Sequence, residues 1–473
     1  MLRFPGAGPL QFKRFLLTSS LITAAFFFWL RLNRYRETEV SVYDFANGFP
    51  QAPSIPHESR SSQLSHTIDA AATSVIAQSS HATGATLVSS PIATTQKNST
   101  ESRVENATLL ALAPLYHKAI FDPGDESFPR LKCPSLTHSR YDYLQDKLGN
   151  VASGDQKYYF AINLHDSIQI IPRLLGSVVE TMRFLGFDRC TLSIIEGRSV
   201  DGTYEVLKSL APALGKLGVT YHFNSSDVNP EVGNRIGNLA ALRNDALEPL
   251  RASPTYENAS VIFLNDVAIC MEDILELVHQ RITLEADMVC GMDWKNLWKD
   301  PTFYDVWIAR TMTGDSFFEV GEDGNWDSAW NLFWSDDKTQ QRFQDHLPFQ
   351  VFSCWNGGAV FGARPFFKTA IEFRAPREGE CFNGEPAIFC KELWWLGYGK
   401  IAVIPTVNLE YSDEGAELVR ELRGTPSTFT LEDGLSKIEW VKEPPEKVRC
   451  VTNYDQQTWG AWNESMPEPP AHS

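Results

Sequence analysis

No CxxC pair occurs in this chain, no GxxxxGK[ST], and no GxGxxG after an apolar run. The first absence removes a zinc ribbon or a thioredoxin-type redox site. The other two remove a P-loop and a dinucleotide-binding fingerprint. Positive charge is scarce as well: 42 Lys and Arg stand against 59 Asp and Glu, for a formal net charge of −17. Nucleic acid would be repelled unless basic residues were gathered into a patch, and no such patch is visible, so no nucleic-acid partner is expected. There is no internal repeat. What is present is an ordinary 43% apolar content in 473 residues, more than one small core usually holds, so a folded domain with an appendage is expected.

The composition breaks first at the N-terminus. Phe15 to Leu30 is an uncharged apolar run, bracketed by Lys13 and Arg14 before it and by Arg31, Arg34 and Arg36 after it. As a helix it would reach roughly 24 Å, enough for a thin early-secretory membrane if the flanking residues snorkel. A retained signal anchor over 15–32 is expected in preference to a cleaved signal peptide, because the run is long for an h-region and lacks a clear small-x-small site. Residues 1–14 would then be a cytoplasmic tail. The segment 33–110 is rich in Ser, Thr, Ala and Gln without periodicity, and reads as a disordered stem unable to bury enough apolar surface to offset its ordering entropy. A folded domain is expected over 111–455, followed by a tail, 456–473.

Five N-x-S/T sequons (Asn98, Asn106, Asn224, Asn258, Asn463) and all eight cysteines lie C-terminal to the apolar run. Together they fit an oxidising, luminal location with at least one disulfide. Golgi or another secretory-pathway membrane, single-pass, is the expected address.

From residue 157 onward, strand-like and helix-like segments alternate. "KYYFAINL", "CTLSII", "VTYHF" and "VIFL" read as strands. Between them, Ile171, Leu174, Leu175, Val178, Met182 and Leu185 form one stripe of a helix closed by Gly186; a second helix from Tyr204 is expected to kink or shorten at Pro212; a third follows Arg235. This order predicts right-handed parallel crossovers, and hence an α/β fold with a mostly parallel sheet whose ligands bind at the carboxyl ends of the strands.

The stretch "VIFLNDVAICMEDILELV" ends a buried strand in Asn265 and Asp266. Asp266 there either holds a divalent cation against a ligand diphosphate or caps the next helix. Arg243 interrupts the apolar stripe of its helix. A charge facing inward needs an anion: a ligand phosphate, or an internal carboxylate.

Taken in order, "INLHDS", "SIIEGRSVDGT", "RIGNLAALRN", "FLNDVAICMEDILEL", "YDVWIARTM", "WNGGAVF" and "PTVNLEYS" resemble the fungal capsule-associated α-1,3-mannosyltransferases of glycosyltransferase family 69. The resemblance covers about Lys157 to Ser412. It implies a GT-A-like, Rossmann-type, mostly parallel sheet flanked by helices, a type II anchor, GDP-mannose as donor, a glycan acceptor, Mn²⁺ or Mg²⁺, and retention of anomeric configuration. The segment "LNDV" stands where many GT-A enzymes carry Asp-x-Asp, with only one carboxylate of that motif.

Carried over position by position, Glu196 and Asp201 would face the donor nucleotide with Asn265, or else belong to a polar Asp-Gly turn; Arg243 would face its phosphates, and Asp266 the cation. Asp293, ending another apolar run, would orient the acceptor or support the cation, or else be a structural turn. Gly357 and Gly358 permit close backbone approach, while Trp355 either stacks on a sugar face or packs in the core. Glu385 is either the carboxylate beside the anomeric carbon or acceptor hydroxyl, or a favourable first-turn helix residue. The expected activity is mannosyl transfer from a nucleotide sugar. The alternatives are a non-catalytic glycan-binding or scaffolding relative, and a transferase using a UDP-sugar.

Overall fold

The computed structural model describes residues 105–145, 156–297, 300–381, 383–429 and 437–466. The expected anchor and all but the last residues of the expected stem lie outside them. Among the described residues no helix is long and apolar enough to cross a membrane.

The expected alternation is realised. Strands β1 (Tyr158–Leu164), β2 (Cys190–Gly197), β3 (Thr220–Ser226) and β4 (Ser260–Leu264) are joined by helices and lie parallel in the order β3-β2-β1-β4. The first crossover helix, α1 (Ile171–Leu185), buries the whole predicted stripe and ends at Gly186, whose φ of 100° suits glycine. Each large aliphatic on that stripe contributes about 1.5–3 kcal/mol on leaving water. Proline 212 does more than kink its helix. The segment divides into α2 (Thr203–Ser209) and α3 (Ala211–Leu217), because a proline here lacks the N–H that would continue the first helix and serves instead near the start of the second.

β4 shows why these strands read as unbroken apolar runs. Val261 and Phe263 enter one core, Ile262 and Leu264 the other, so both faces of the sheet are covered. The first core is the more aromatic, and it backs onto α4 (Arg235–Arg251). The second packs α1 and α5 (Met271–Thr283).

Beyond β4 the sheet departs from an all-parallel pattern. After β5 (Met288–Lys295), β6 (Thr302–Phe303), α6 (Asp337–Gln344) and β7 (Phe349–Gln350), the chain enters β8 (Gly358–Gly362). β8 lies between β4 and β5 and runs antiparallel to both. β9 (Ile401–Leu409) then pairs parallel to β5, with β7 antiparallel on its far side. The outcome is a mixed α/β fold with a mostly parallel central sheet.

The folded region continues past the expected boundary at 455. β10 (Lys447–Asn453) and β11 (Gln456–Ala461) form an antiparallel hairpin, so the residues expected to begin a tail are paired. A disulfide, Cys381–Cys450, ties this hairpin to the body. Beside it, Glu380 receives Arg374 through two guanidinium nitrogens at 2.6 and 3.1 Å, Lys391 Nζ at 2.7 Å and the Arg377 N–H at 2.8 Å. Disulfides Cys133–Cys270 and Cys290–Cys354 complete the set, while Cys190 and Cys390 are buried free thiols.

Candidate functional site

β1, β2, β4 and β5 are parallel to one another across the sheet, so their carboxyl ends share one edge, and the residues singled out in the sequence gather along it. Asn265 and Asp266 leave the end of β4. The Asn265 N–H donates to Gly357 O at 2.9 Å, and its Oδ1 accepts from Trp355 Nε1 at 3.0 Å. Asn265 is thus fastened to the turn before β8. Asp266 is exposed and makes no ion pair or hydrogen bond to another residue among the described residues. Its carboxyl is nevertheless raised above the usual range, by desolvation first, against the opposing pull of Lys295, Arg235 and Arg243. Capping of α5 falls instead to Asp273, whose Oδ2 accepts from Cys270 N at 2.8 Å.

The turn Trp355–Gly358 organises the edge. Asn356 and Gly357 both adopt left-handed backbone, φ 51° and 77°. A Cβ on Gly357 would approach Val267 Cγ1 to 3.2 Å and Asp293 Cβ to 3.4 Å, so glycine is required there for space as well as for conformation. Asn356 Nδ2 donates to Gly291 O at 2.8 Å, and its backbone N–H to Asp305 Oδ2 at 3.0 Å. The Cys290–Cys354 bridge pins the turn's base to β5. Gly358 opens β8, packed between Leu264 and Leu409.

Asp293, 1% exposed at the end of β5, accepts from the Tyr411 hydroxyl at 2.8 Å through Oδ2, while its Oδ1 is buried with no partner among the described residues. Desolvation, and then the charge of Asp305, hold its carboxyl well above the ordinary carboxylate range. Asp305 is pushed up to about 6, again by burial first; Arg243 and Arg310 pull it back and Glu385 pushes it further.

Arg243 points inward from α4, as its place in the stripe requires, and its Nε donates to Glu385 Oε1 at 2.8 Å. The guanidinium carbon lies 4.4 Å from the centroid of Trp355, 5.2 Å from Phe263 and 5.7 Å from Phe373. Glu385 is the first residue of α7 (Glu385–Trp395), where the helix dipole favours its charge. Of the two readings open for Arg243, an internal carboxylate partner is therefore present. Trp355 is 2% exposed and enclosed by Arg243, Phe263 and Phe373, which leaves no ring face for a sugar to stack on; as placed, it is a wall holding Arg243.

Glu196 and Asp201 are also committed. Glu196 is fully buried and accepts from Ser199 N and from Ser225 Oγ, the latter at 2.5 Å. Asp201 accepts from Ile168 N and Thr203 N, both at 2.9 Å. Both shape the loops after β1 and β2, so any contact to a nucleotide would come through those loops' backbone.

Sequence reasoning missed Asp305, Asn356 and Tyr411 as site members. The Asn-Gly step before an apolar run was the available signal for the turn. Asp305 lies within the resembling stretch "YDVWIARTM", but in irregular chain where no periodicity singles it out. For a cation, Asp266 is an exposed carboxylate without a partner at the strand ends; no group of three or more His, Cys, Asp or Glu is arranged for a metal among the described residues. The donor set fits a hard ion held by one carboxylate, with water and ligand phosphate supplying the remaining oxygens.

A profile of the family described as cryptococcal mannosyltransferase 1 matches residues 157–392, a span containing Arg243, Asp266, Asp293, Asp305, the turn and Glu385. The α-1,3-mannosyltransferase CMT1 of Cryptococcus neoformans var. neoformans serotype D is 32% identical over 318 residues, covering 62% of this chain and 67% of that protein. Among solved structures, S. aureus TarS 1–349 in complex with UDP aligns with a TM-score of 0.32 at 13% identity, over 54% of this chain and 60% of that one. The mannosyltransferase PcManGT from Pyrobaculum calidifontis, in complex with GDP-Man and Mn²⁺, aligns with a TM-score of 0.32 at 13% identity, over 64% and 68%. Scores this low bear on neither fold nor mechanism.

Proposed function

Because the chain belongs to the cryptococcal mannosyltransferase family and is a hexosyltransferase, we propose that it moves mannose from GDP-mannose to a glycan hydroxyl, forming an α-1,3 bond with retention. The observation that carries the reading is Asp266: an exposed, unpartnered carboxylate at the carboxyl end of a central strand, in the field of Lys295, Arg235 and Arg243. A carboxylate with three cations in its field suits a metal-bound diphosphate, the one holding the ion and the others the phosphates. A cation there would neutralise charge on the leaving diphosphate. Arg243, held at Nε, keeps its terminal amines for phosphate oxygens, where negative charge grows as the sugar departs.

Residues 15–32 serve, in this reading, as a type II anchor, with the domain in the lumen of the Golgi or a neighbouring secretory compartment. Three disulfides within the domain support an oxidising location.

The test is nucleoside diphosphate release from GDP-mannose and from UDP-sugars, with Mn²⁺ or Mg²⁺, in the presence of an α-mannoside acceptor. Turnover is expected with GDP-mannose alone, lost with chelator and restored by the cation. Asp266→Ala should lower it at least about 100-fold, since removing the ion's protein ligand forfeits several kcal/mol of transition-state stabilisation, with little change in melting temperature. Preference for a UDP-sugar would reassign the donor. Donor binding without turnover would leave a glycan-binding scaffold.

A further inference from the structure

We propose that Asp305 is the acid–base residue of the transfer step, taking the proton of the acceptor hydroxyl as the new glycosidic bond forms; this rests on the glycosyl-transfer reading above. Three carboxyl groups gather behind the turn, and Asp305 is the least buried of them. Glu385 is 2% exposed and bound through Oε1 to Arg243. Asp293 is 1% exposed, with Tyr411 on Oδ2. Asp305 is half-buried: Oδ2 is fixed by the Asn356 N–H, while Oδ1 has no partner among the described residues and is not enclosed. One oxygen anchored and one open is the geometry a proton acceptor needs.

The surroundings set its proton affinity. Arg243 and Arg310 favour the charged form, Glu385 and burial oppose it, and Asp293, the Tyr304 and Tyr411 hydroxyls and the buried Cys390 thiol are its other titratable neighbours. Asp293, with one oxygen lacking any donor, is held well above the ordinary carboxylate range by burial and by the charge of Asp305, so the two carboxyls resist being charged together. In the step itself, the acceptor O–H bond breaks and its proton passes to Asp305 Oδ1. The acceptor oxygen bonds to the anomeric carbon on the same face from which the diphosphate departs, as retention requires, and the carbon–phosphate oxygen bond breaks with its electron pair leaving on the diphosphate. The carboxyl then returns the proton to solvent.

The experiment uses the full-length chain with GDP-mannose and an α-linked mannobiose, comparing the parent with Asp305→Asn, Asp305→Glu and Asp293→Asn from pH 4.5 to 8. Asparagine keeps an oxygen for the Asn356 N–H, so the fold is retained, checked by melting temperature. Asp305→Asn is expected to lower kcat at least about 100-fold with GDP-mannose affinity unchanged. Parent kcat/KM should rise with pH through about 6 and then level. That limb should vanish in Asp305→Asn, persist with partial activity in Asp305→Glu, and persist in Asp293→Asn. An Asp305→Asn enzyme with kcat within a few-fold of the parent, or with the same limb, would overturn the assignment while leaving mannosyl transfer standing. A parent that neither binds nor turns over GDP-mannose would remove the functional reading itself, and this inference with it.

Discussion

Glu380 and Asp305 are both carboxylates drawn into the protein, and their surroundings treat them in opposite ways. Four donors converge on Glu380, and although burial pushes its carboxyl up, Arg374, the Arg377 N–H and Lys391 hold it at about 2. Asp305 has one donor, and burial prevails, so it sits at about 6. Its neighbour Asp293 keeps one oxygen with no donor at all. The first cluster is bonded to completion and ties the segment before Cys381 to α7. The second is left short of donors at the edge of the sheet where ligands bind. Incomplete satisfaction that the rest of the fold supports is the mark of a working site.

The largest way to break this contrast is to unpair a buried charge. Arg243→Met strands Glu385, and should cost about 3–5 kcal/mol in denaturant unfolding. Adding Glu385→Gln should restore all but about 1 kcal/mol, because replacing both charges removes the unpaired one. GDP-mannose affinity should stay about 10- to 150-fold lower in single and double variants alike, the loss of a charge-assisted phosphate contact. Recovery of affinity in the double variant would make the pair purely structural. A somewhat smaller effect is expected at the other cluster. Glu380→Gln should cost about 3 kcal/mol in stability, yet leave kcat and donor affinity of the folded protein unchanged.

The smallest effect is the pH dependence of stability, with opposite signs at the two clusters. Glu380, depressed when folded, contributes stability that is full above its unfolded value near 4.5 and lost as pH falls toward 2. Asp305, raised when folded, contributes stability that is full below about 3.8 and lost as pH rises through about 6. Each proton gives a slope of about 1.4 kcal/mol per pH unit within its window. Glu380→Gln should flatten the acid side and Asp305→Asn the side between pH 4 and 6, read from urea midpoints.

The parallel half of the sheet was legible because its signals are local: apolar runs, a helical stripe from Ile171 to Leu185, a proline at 212. Asp266 was legible as an acid following a buried strand. β8 was not, since "GAVFG" is apolar whichever way it runs, and direction is fixed only by neighbours distant in sequence. Arg243 announced that it needed an anion, but the identity of Glu385 as its partner is a fact of tertiary packing. Trp355 was visible as an aromatic beside two glycines; whether its face met a sugar or a guanidinium depended on α4 and Phe373 lying against it.

The reversed direction of β8 bears on how such a protein can diversify. The excursion from 296 to 357 leaves β5 and returns to β8 at the same edge of the sheet, so it begins beside Asp293 and ends in the Trp355–Gly358 turn. It is a cassette with both splice points on the ligand side, clamped at its exit by the Cys290–Cys354 bridge. Its interior is nevertheless tied to the body, since Phe303, Phe317, Phe333 and Phe349 belong to the first core and Trp355 walls Arg243, so changes in length are accommodated only between those anchors.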